Sequence, residues 1–347
     1  MLKSINLSLS SACGADCLYC PSNRGKKIKQ KIMLFEWAKK IIDEISSDDF
    51  KKYHNIESII IGENGDAFLN KDLIKILRYI KSRLPQIRVE IFTNFQNFTE
   101  EKAESILREK LIDKVYCNID GYNNQNYYNV KKLDLDKTKN NLINFLKIRE
   151  ELNVYVPLTF FVLTLNNYIH TIHNNFDFLP TKLKDHNLRN VPDDFSIIKK
   201  QLKEILDPKK DNIIKSWVMG WAEREKFADK NINYKKYSCP NLTRIEEEAF
   251  IAPDGTWYAC CYDSNNELIL GNVITQSINE IFFSKKRMEL IKLLKNKQFE
   301  KIGGPCKTVN CCQLMKKSKF VSYLARIVIN KSNENKKFFK IIMKMFT

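Results

Sequence analysis

No run of about 18 apolar residues occurs in this sequence, so no membrane-spanning helix is expected. The opening stretch, Met1-Leu2-Lys3-Ser4-Ile5, lacks the long apolar core of a secretory signal, and a cytoplasmic location is expected. Arginines interleaved with aromatics form no stripe, so no nucleic-acid partner is expected despite a formal net charge of +17. Lysine, asparagine and isoleucine are abundant along the whole chain, and that spread suits a general compositional bias better than a binding face.

What is present is ordinary for a water-soluble protein: 44% hydrophobic and 29% charged residues in 347. That length fits one barrel-sized domain plus a small one. Ten cysteines are the exception. In a reducing compartment they argue for metal ligands more than for disulfides. Three lie between residues 13 and 20 and six between 239 and 312. Cys117 stands alone, flanked by Tyr116 and Asn118 in an expected strand, and reads as a small core residue.

The first group is Cys13-Gly14-Ala15-Asp16-Cys17-Leu18-Tyr19-Cys20, a C-x3-C-x2-C triplet just after the apolar run Ile5 to Leu9. Three thiolates so close in sequence can grip three corners of one cluster, and no fourth cysteine lies near. A 4Fe-4S cluster ordinarily takes four cysteines, so with three one iron keeps an open position. A zinc knuckle with a distant fourth ligand is the alternative.

With Tyr19 directly before its last cysteine and Pro21 directly after it, the triplet resembles that of the radical S-adenosylmethionine (SAM) enzymes. The resemblance implies that Cys13, Cys17 and Cys20 hold a 4Fe-4S cluster whose open iron is chelated by SAM. It also implies cleavage of SAM to a 5′-deoxyadenosyl radical, an electron donor such as flavodoxin or ferredoxin, and Tyr19 covering the cluster beside the adenine.

Strand and helix patterns alternate from the N-terminus, as in parallel βα units. Strands are expected at Ser4 to Ser10, Ser58 to Gly62, Val89 to Thr93, Val115 to Ile119, Tyr155 to Leu163 and Ile213 to Met219. Helices are expected over 34–46, Lys71 to Leu84, a segment capped by Thr99, Asp136 to Leu152 and Phe195 to Leu206, with an irregular insertion from Asp177 to Pro192. Six units in series imply an α/β fold, an open, partial (β/α)6 TIM-like barrel, with ligands at the C-terminal ends of the strands.

Three polar strand endings fall at that rim. Gly65-Asp66-Ala67 occupies the place of the family's glycine-and-acid motif for the SAM amino group, with an aspartate where glutamate is usual and alanine where proline is; Glu63 is the competing acid. Thr93-Asn94 resembles a Thr-Asn-Gly ending, with Phe95 in place of glycine. Asn118 and Asp120 stand where the family places a ribose contact, and the Asp120-Gly121 ending favours Asp120. Strand 5, Pro157-Leu158-Thr159-Phe160-Phe161, has no glycine-containing SAM motif.

The second group follows. Cys239 is separated from Cys260 by a segment, Phe250 to Cys260, that reads as a β-hairpin around Pro253-Asp254-Gly255. A helix is expected from Ser277 to Leu294, then Cys306-x4-Cys311-Cys312. The order resembles the SPASM and Twitch extensions of radical SAM enzymes. Cys239, Cys260, Cys306 and either Cys311 or Cys312 would supply four thiolates to one auxiliary 4Fe-4S cluster, with a zinc ribbon as the alternative. The expected organisation is a barrel over 1–225, a small β-hairpin/helix auxiliary-cluster domain over 226–314 and a basic amphipathic tail over 315–347. Phe338, Ile341, Ile342 and Met345 lie at helical spacing in that tail, which either packs on the barrel or touches an anionic membrane surface.

Cys20-Pro21-Ser22-x-Arg24 and a single auxiliary cluster make the chain look like the aminocyclitol alcohol dehydrogenases. A small-molecule substrate is therefore expected, with peptide or protein modification as the runner-up and a zinc-holding nucleic-acid binder as the reading of another class. Glu223, Arg224 and Lys226 are candidates for the substrate base by location alone.

Overall fold

The computed structural model describes residues 1–17, 20, 31–164, 195–217, 238–263 and 267–306. Six strands follow one another in parallel: β1 (Ser4–Leu7), β2 (Ser58–Ile61), β3 (Arg88–Thr93), β4 (Lys114–Asn118), β5 (Leu158–Thr164) and β6 (Asn212–Trp217). On the far side of β1 the sheet continues through β7 (Glu248–Ile251), parallel to β1, and then β8 (Thr256–Tyr258) and β9 (Ile269–Asn272), both antiparallel. The order is β6-β5-β4-β3-β2-β1-β7-β8-β9, with β6 and β9 as edges, so the partial barrel is open. The expected hairpin is present, and it extends the barrel's own sheet.

Alternation along the strands separates two faces. Ile5, Leu7, Ile59, Ile61, Val89, Ile91, Val115, Cys117, Leu158 and Phe160 share one buried cluster with the helices, so Cys117 is a core residue as expected. Against them α1 (Phe35–Ser46) sets Ala38, Ile41, Ile42 and Ile45. Leu73, Ile76, Leu77 and Ile80 of α3 (Leu73–Arg83) do the same, at the i, i+3, i+4, i+7 spacing of an apolar stripe. Each leucine or isoleucine among them, fully buried, contributes roughly 1.5–3 kcal/mol. Between these helices, α2 (Asp48–Lys51) is a single turn. The other face carries Ser4, Asn6, Glu90, Tyr116, Thr159 and Glu248, with Phe92, Tyr116 and Phe161 stacked in a row at 4.5 and 5.8 Å. We call it the inner face.

Boundaries differ from expectation where local chemistry intervenes. β5 starts at Leu158, because Pro157 has no N–H to give to a neighbour. α4 (Glu100–Arg108) is capped by Thr99, as expected. The helix expected from Ser277 to Leu294 is two: α9 (Ile278–Phe282) and α10 (Lys285–Lys295). Ser284 breaks it, accepting from Arg287 N at 3.2 Å as a new N-cap. A further helix, α5 (Asn124–Lys131), was not expected, since its asparagine-rich sequence lacks an apolar period; Asn123 caps it by accepting from Asn126 N at 2.9 Å. The remaining helices are α6 (Leu135–Glu151), α7 (Phe195–Lys203), α8 (Leu242–Glu247) and α11 (Phe299–Ile302). The insertion expected at 177–192, the tail at 315–347 and the candidates Glu223, Arg224 and Lys226 lie outside the described residues. Among the described residues no helix is long and apolar enough to cross a membrane.

One buried ion pair ties α6 to the starts of β5 and β6. Arg149 donates to Asp211 Oδ1 at 2.7 Å and Oδ2 at 2.9 Å, and Leu158 N donates to Asp211 Oδ1 at 2.9 Å. Asp211→Ala is expected to lower the unfolding free energy by about 3–5 kcal/mol, because it strands the Arg149 charge. Anaerobic urea titration checks this. A well-packed Arg149→Met/Asp211→Leu double variant should lose much less.

Candidate functional site

The cysteine loop leaves the C-terminal end of β1 and is held by the turn that follows β2. Asp66 N donates to Ala12 O at 2.8 Å. Gly65 has φ +74°, and a Cβ there would meet Ser10 O at 2.1 Å and Ala12 O at 2.9 Å. Only glycine allows that approach. From the end of β3, Asn94 Nδ2 points to Cys13 Sγ at 3.7 Å. From α5, Lys131 O accepts from Asp16 N at 2.9 Å. Cys20 N donates to Cys17 O at 3.0 Å, which turns the loop back on itself.

Burial pushes the Cys13 thiol up to about 11 and the Cys17 thiol up to about 12. At neutral pH such thiols stay protonated unless a metal supplies positive charge. Soft, all-sulfur donors gathered at one strand end therefore fit an iron-sulfur cluster. Among the described residues no three His, Cys, Asp or Glu side chains converge as a single ion would require.

Asp66 is buried, with Oδ1 accepting from Phe68 N at 3.1 Å and Oδ2 from Asn97 Nδ2 at 3.1 Å. Burial raises its pKa against those two donors. Glu63, the competing acid, turns away toward Arg244. Asp120 is also buried, in an ion pair with Lys131 Nζ at 3.2 Å, and Lys131 further donates to Asn118 O at 2.6 Å. Burial works against the Lys131 ammonium, but Asp120, Tyr127 and Cys17 outweigh it and raise its pKa. Asp120 is thus tied to Lys131, and both charges act on Cys17. Lys131 was not singled out in the sequence, where it is one lysine among many in an asparagine-rich stretch. Tyr19 lies outside the described residues.

In the second group, Cys239, Cys260 and Cys306 line one pocket, closed by Ile245, Leu290 and Leu294. Cys261 does not line it; its Sγ accepts from Arg244 Nη1 at 3.2 Å. The turn that follows β8 separates the adjacent pair, Cys260 to the pocket and Cys261 to Arg244. The Cys261 thiol and Asn241 Nδ2, the latter at 3.3 Å, act on Cys260 Sγ and hold its pKa below the ordinary thiol value. Three thiols around an apolar pocket, one of them biased toward thiolate, fit an auxiliary cluster. Cys311 and Cys312 lie outside the described residues.

Arg244 joins the two halves on the inner face. Its Nη2 donates to Glu63 Oε1 at 2.7 Å, and its Nε to both oxygens of Glu248 at 3.0 and 2.9 Å. The guanidinium stacks on Phe250 at 5.0 Å.

Residues 7–173 match the family model of the radical SAM superfamily, and residues 239–312 match an iron-sulfur cluster-binding domain of the SPASM type. Among solved structures, the chain is similar to BtrN in complex with AdoMet and 2-DOIA (15% identity, 90% of this chain and 92% of that one, TM-score 0.50). It is also similar to anSMEcpe with bound AdoMet (17%, 90% and 88%, 0.52) and to Streptococcus suis SuiB bound to S-adenosylmethionine (12%, 94% and 74%, 0.55). At these identities the likeness is one of fold. No curated protein matches the chain by sequence.

Two outcomes follow from this geometry. Gly65→Ala should lose the first cluster, a drop of about four irons per chain with the far-UV circular dichroism unchanged, because its Cβ collides with the cysteine loop. Asn241→Leu should make the auxiliary cluster's midpoint potential more negative, since it removes an N–H aimed at a ligand sulfur; anaerobic redox titration reads the shift.

Proposed function

The chain belongs to the radical SAM superfamily and carries a SPASM iron-sulfur domain, and on that basis we propose that it is an oxidoreductase that dehydrogenates a small, sugar-like alcohol. The observation that carries the proposal is the pairing of a three-thiol loop at the end of β1 with one separate three-thiol pocket, Cys239, Cys260 and Cys306. When bound, the first cluster and SAM supply a 5′-deoxyadenosyl radical that removes a hydrogen atom, and the auxiliary cluster supplies an acceptor for the electron left on the substrate.

The chain's own residues do the rest. Cys13, Cys17 and Cys20 hold the first cluster, with Asn94 donating toward Cys13 Sγ. Gly65 and Asp66 receive the SAM ammonium beside that loop, a role supported by the Asp66 N to Ala12 O bond. Asp120 acts through Lys131, whose positive charge faces Cys17 from behind. The inner face, with its stacked Phe92, Tyr116 and Phe161, walls the substrate chamber. Overall a carbinol loses one hydrogen atom, one proton and one electron to become a ketone. A low-potential flavodoxin or ferredoxin is the proposed reductant, and the cytoplasm the proposed location.

A peptide side chain is the second reading. It is supported by similarity over 96% of this chain and 100% of the other to anSMEcpe with bound AdoMet and Kp18Cys peptide (17% identity, TM-score 0.52).

Anaerobic reconstitution tests the proposal. About eight irons per chain are expected, falling to about four in a Cys13→Ala, Cys17→Ala, Cys20→Ala variant that no longer forms 5′-deoxyadenosine from SAM and dithionite. Zinc in place of iron, or no SAM cleavage under any reductant, would sink it. Deuterium transferred into 5′-deoxyadenosine from a carbinol-labelled polyol favours the alcohol; transfer only from a peptide favours the second reading.

A further inference from the structure

Among the described residues the inner face holds two acceptors without donors, and both belong to the Arg244 network. Glu63, just beyond β2, gives Oε1 to Arg244, while its Oε2 is buried with no hydrogen-bond partner. On the adjacent strand Asn6, 2% exposed, donates Nδ2 to Glu248 Oε2 at 2.8 Å. Its Oδ1 is likewise buried without a partner. The amide cannot be flipped to relieve this, since Glu248 as a carboxylate requires the N–H side. A buried acceptor left unpaired is unfavourable wherever it occurs, and two in one network point to a missing donor.

Charge narrows the donor. Glu63 and Glu248 bring two negative charges and Arg244 one positive, which leaves the trio at −1. Arg244 directs none of its hydrogen bonds to Glu63 Oε2 or Asn6 Oδ1, with Nε on Glu248, Nη2 between Glu63 Oε1 and Glu248, and Nη1 on Cys261 Sγ. Burial raises the Glu63 pKa in spite of Arg244, the direction expected of an acid with too little positive charge near it.

We propose that Glu63 Oε2 accepts from a primary ammonium group of the substrate, with Asn6 Oδ1 as a second acceptor for the same donor-rich molecule. The inference rests on the inner face being the substrate chamber. An ammonium brings three donors and the one positive charge the trio lacks. A hydroxyl would satisfy an acceptor without neutralising the charge, and a carboxylate or phosphate would be repelled. SAM also carries an ammonium, but Asp66 is the acid bonded to the cysteine loop, whereas Glu63 is fixed toward Arg244.

The test is equilibrium binding to the reconstituted enzyme, without reductant and with SAM saturating, by titration calorimetry. Two matched pairs serve as probes: glucosamine against glucose, and Nα-acetyl-lysine amide against Nα-acetyl-norleucine amide. In one pair the amine should bind at least about tenfold tighter, the scale of a charge-assisted hydrogen bond, and which pair does so separates an amino sugar from a lysine side chain. Glu63→Gln should reduce that preference to about threefold or less, whereas Glu63→Asp, which keeps the charge, should retain part of it. Iron content and near-UV circular dichroism check that both variants fold. No preference in either pair with the wild-type enzyme overturns the assignment, whether or not a variant folds. So does a preference that survives Glu63→Gln, or glucosamine displaced by SAM. Absent preference in an enzyme that still cleaves SAM removes only the amine subsite; absent SAM cleavage removes the function above it.

Discussion

The contact between Gly65 and the carbonyls of Ser10 and Ala12 is the constraint on which the site depends. It brings the turn after β2 against the loop after β1 at a distance that any side chain at position 65 would prevent. The Asp66 N–H then bonds Ala12 O, and the Asp66 carboxylate is fixed beside the cysteines by Phe68 N and Asn97. The loop needs such bracing because it is asked to collect buried thiols, which have little reason to stay together before a metal arrives. The bracing comes from three neighbours: the turn after β2, Asn94 after β3, and Lys131 from α5.

A second consequence of the same sheet is the position of the auxiliary pocket. β7 pairs in parallel with β1, Ser4 against Glu248 and Leu7 against Ile251, so the chain that carries Cys239 and Cys260 is in register with the strand that carries the first cysteine loop. Parallel pairing requires that the chain return to the same end of the sheet before entering β7. α8 leads directly into β7, and Arg287 fixes it by donating to Ile245 O at 3.0 Å and Glu246 O at 2.8 Å. Arg244, on the same short helix, consequently faces Glu63 across the inner face. The two cysteine groups are thus linked through one sheet and one guanidinium.

Much of this was legible in the residues. The βα alternation, the Thr99 cap, the Pro253-Asp254-Gly255 hairpin and the core role of Cys117 all follow from local rules of period, capping and turn chemistry. The triplet's spacing announced its chemistry without any fold. What could not be read is tertiary. Lys131 resembles its many neighbours until α5 buries it against Asp120, and α5 itself has no apolar period to reveal it. The division of labour between Cys260 and Cys261 depends on which of two adjacent side chains turns to the pocket and which to Arg244. Ser284 divides a helix that apolar spacing alone would continue.

Stability accounts for one face of the sheet and not for the other. The residues facing the helices are mostly isoleucine, valine and leucine, with Cys117 and Phe160, the choice expected where burial alone decides. Their alternate neighbours include Ser4, Asn6, Glu90, Tyr116, Thr159 and Glu248 beside Ile60, Phe92 and Phe161, and a barrel interior built for stability would replace the polar ones with apolar side chains. Some of these polar groups satisfy one another, as Tyr116 does with Glu90 at 2.8 Å. Asn6 and Glu63 do so only in part. Local rules of folding are broken where a site demands it, and Asn6 and Glu63 are the inner-face residues at which they are broken.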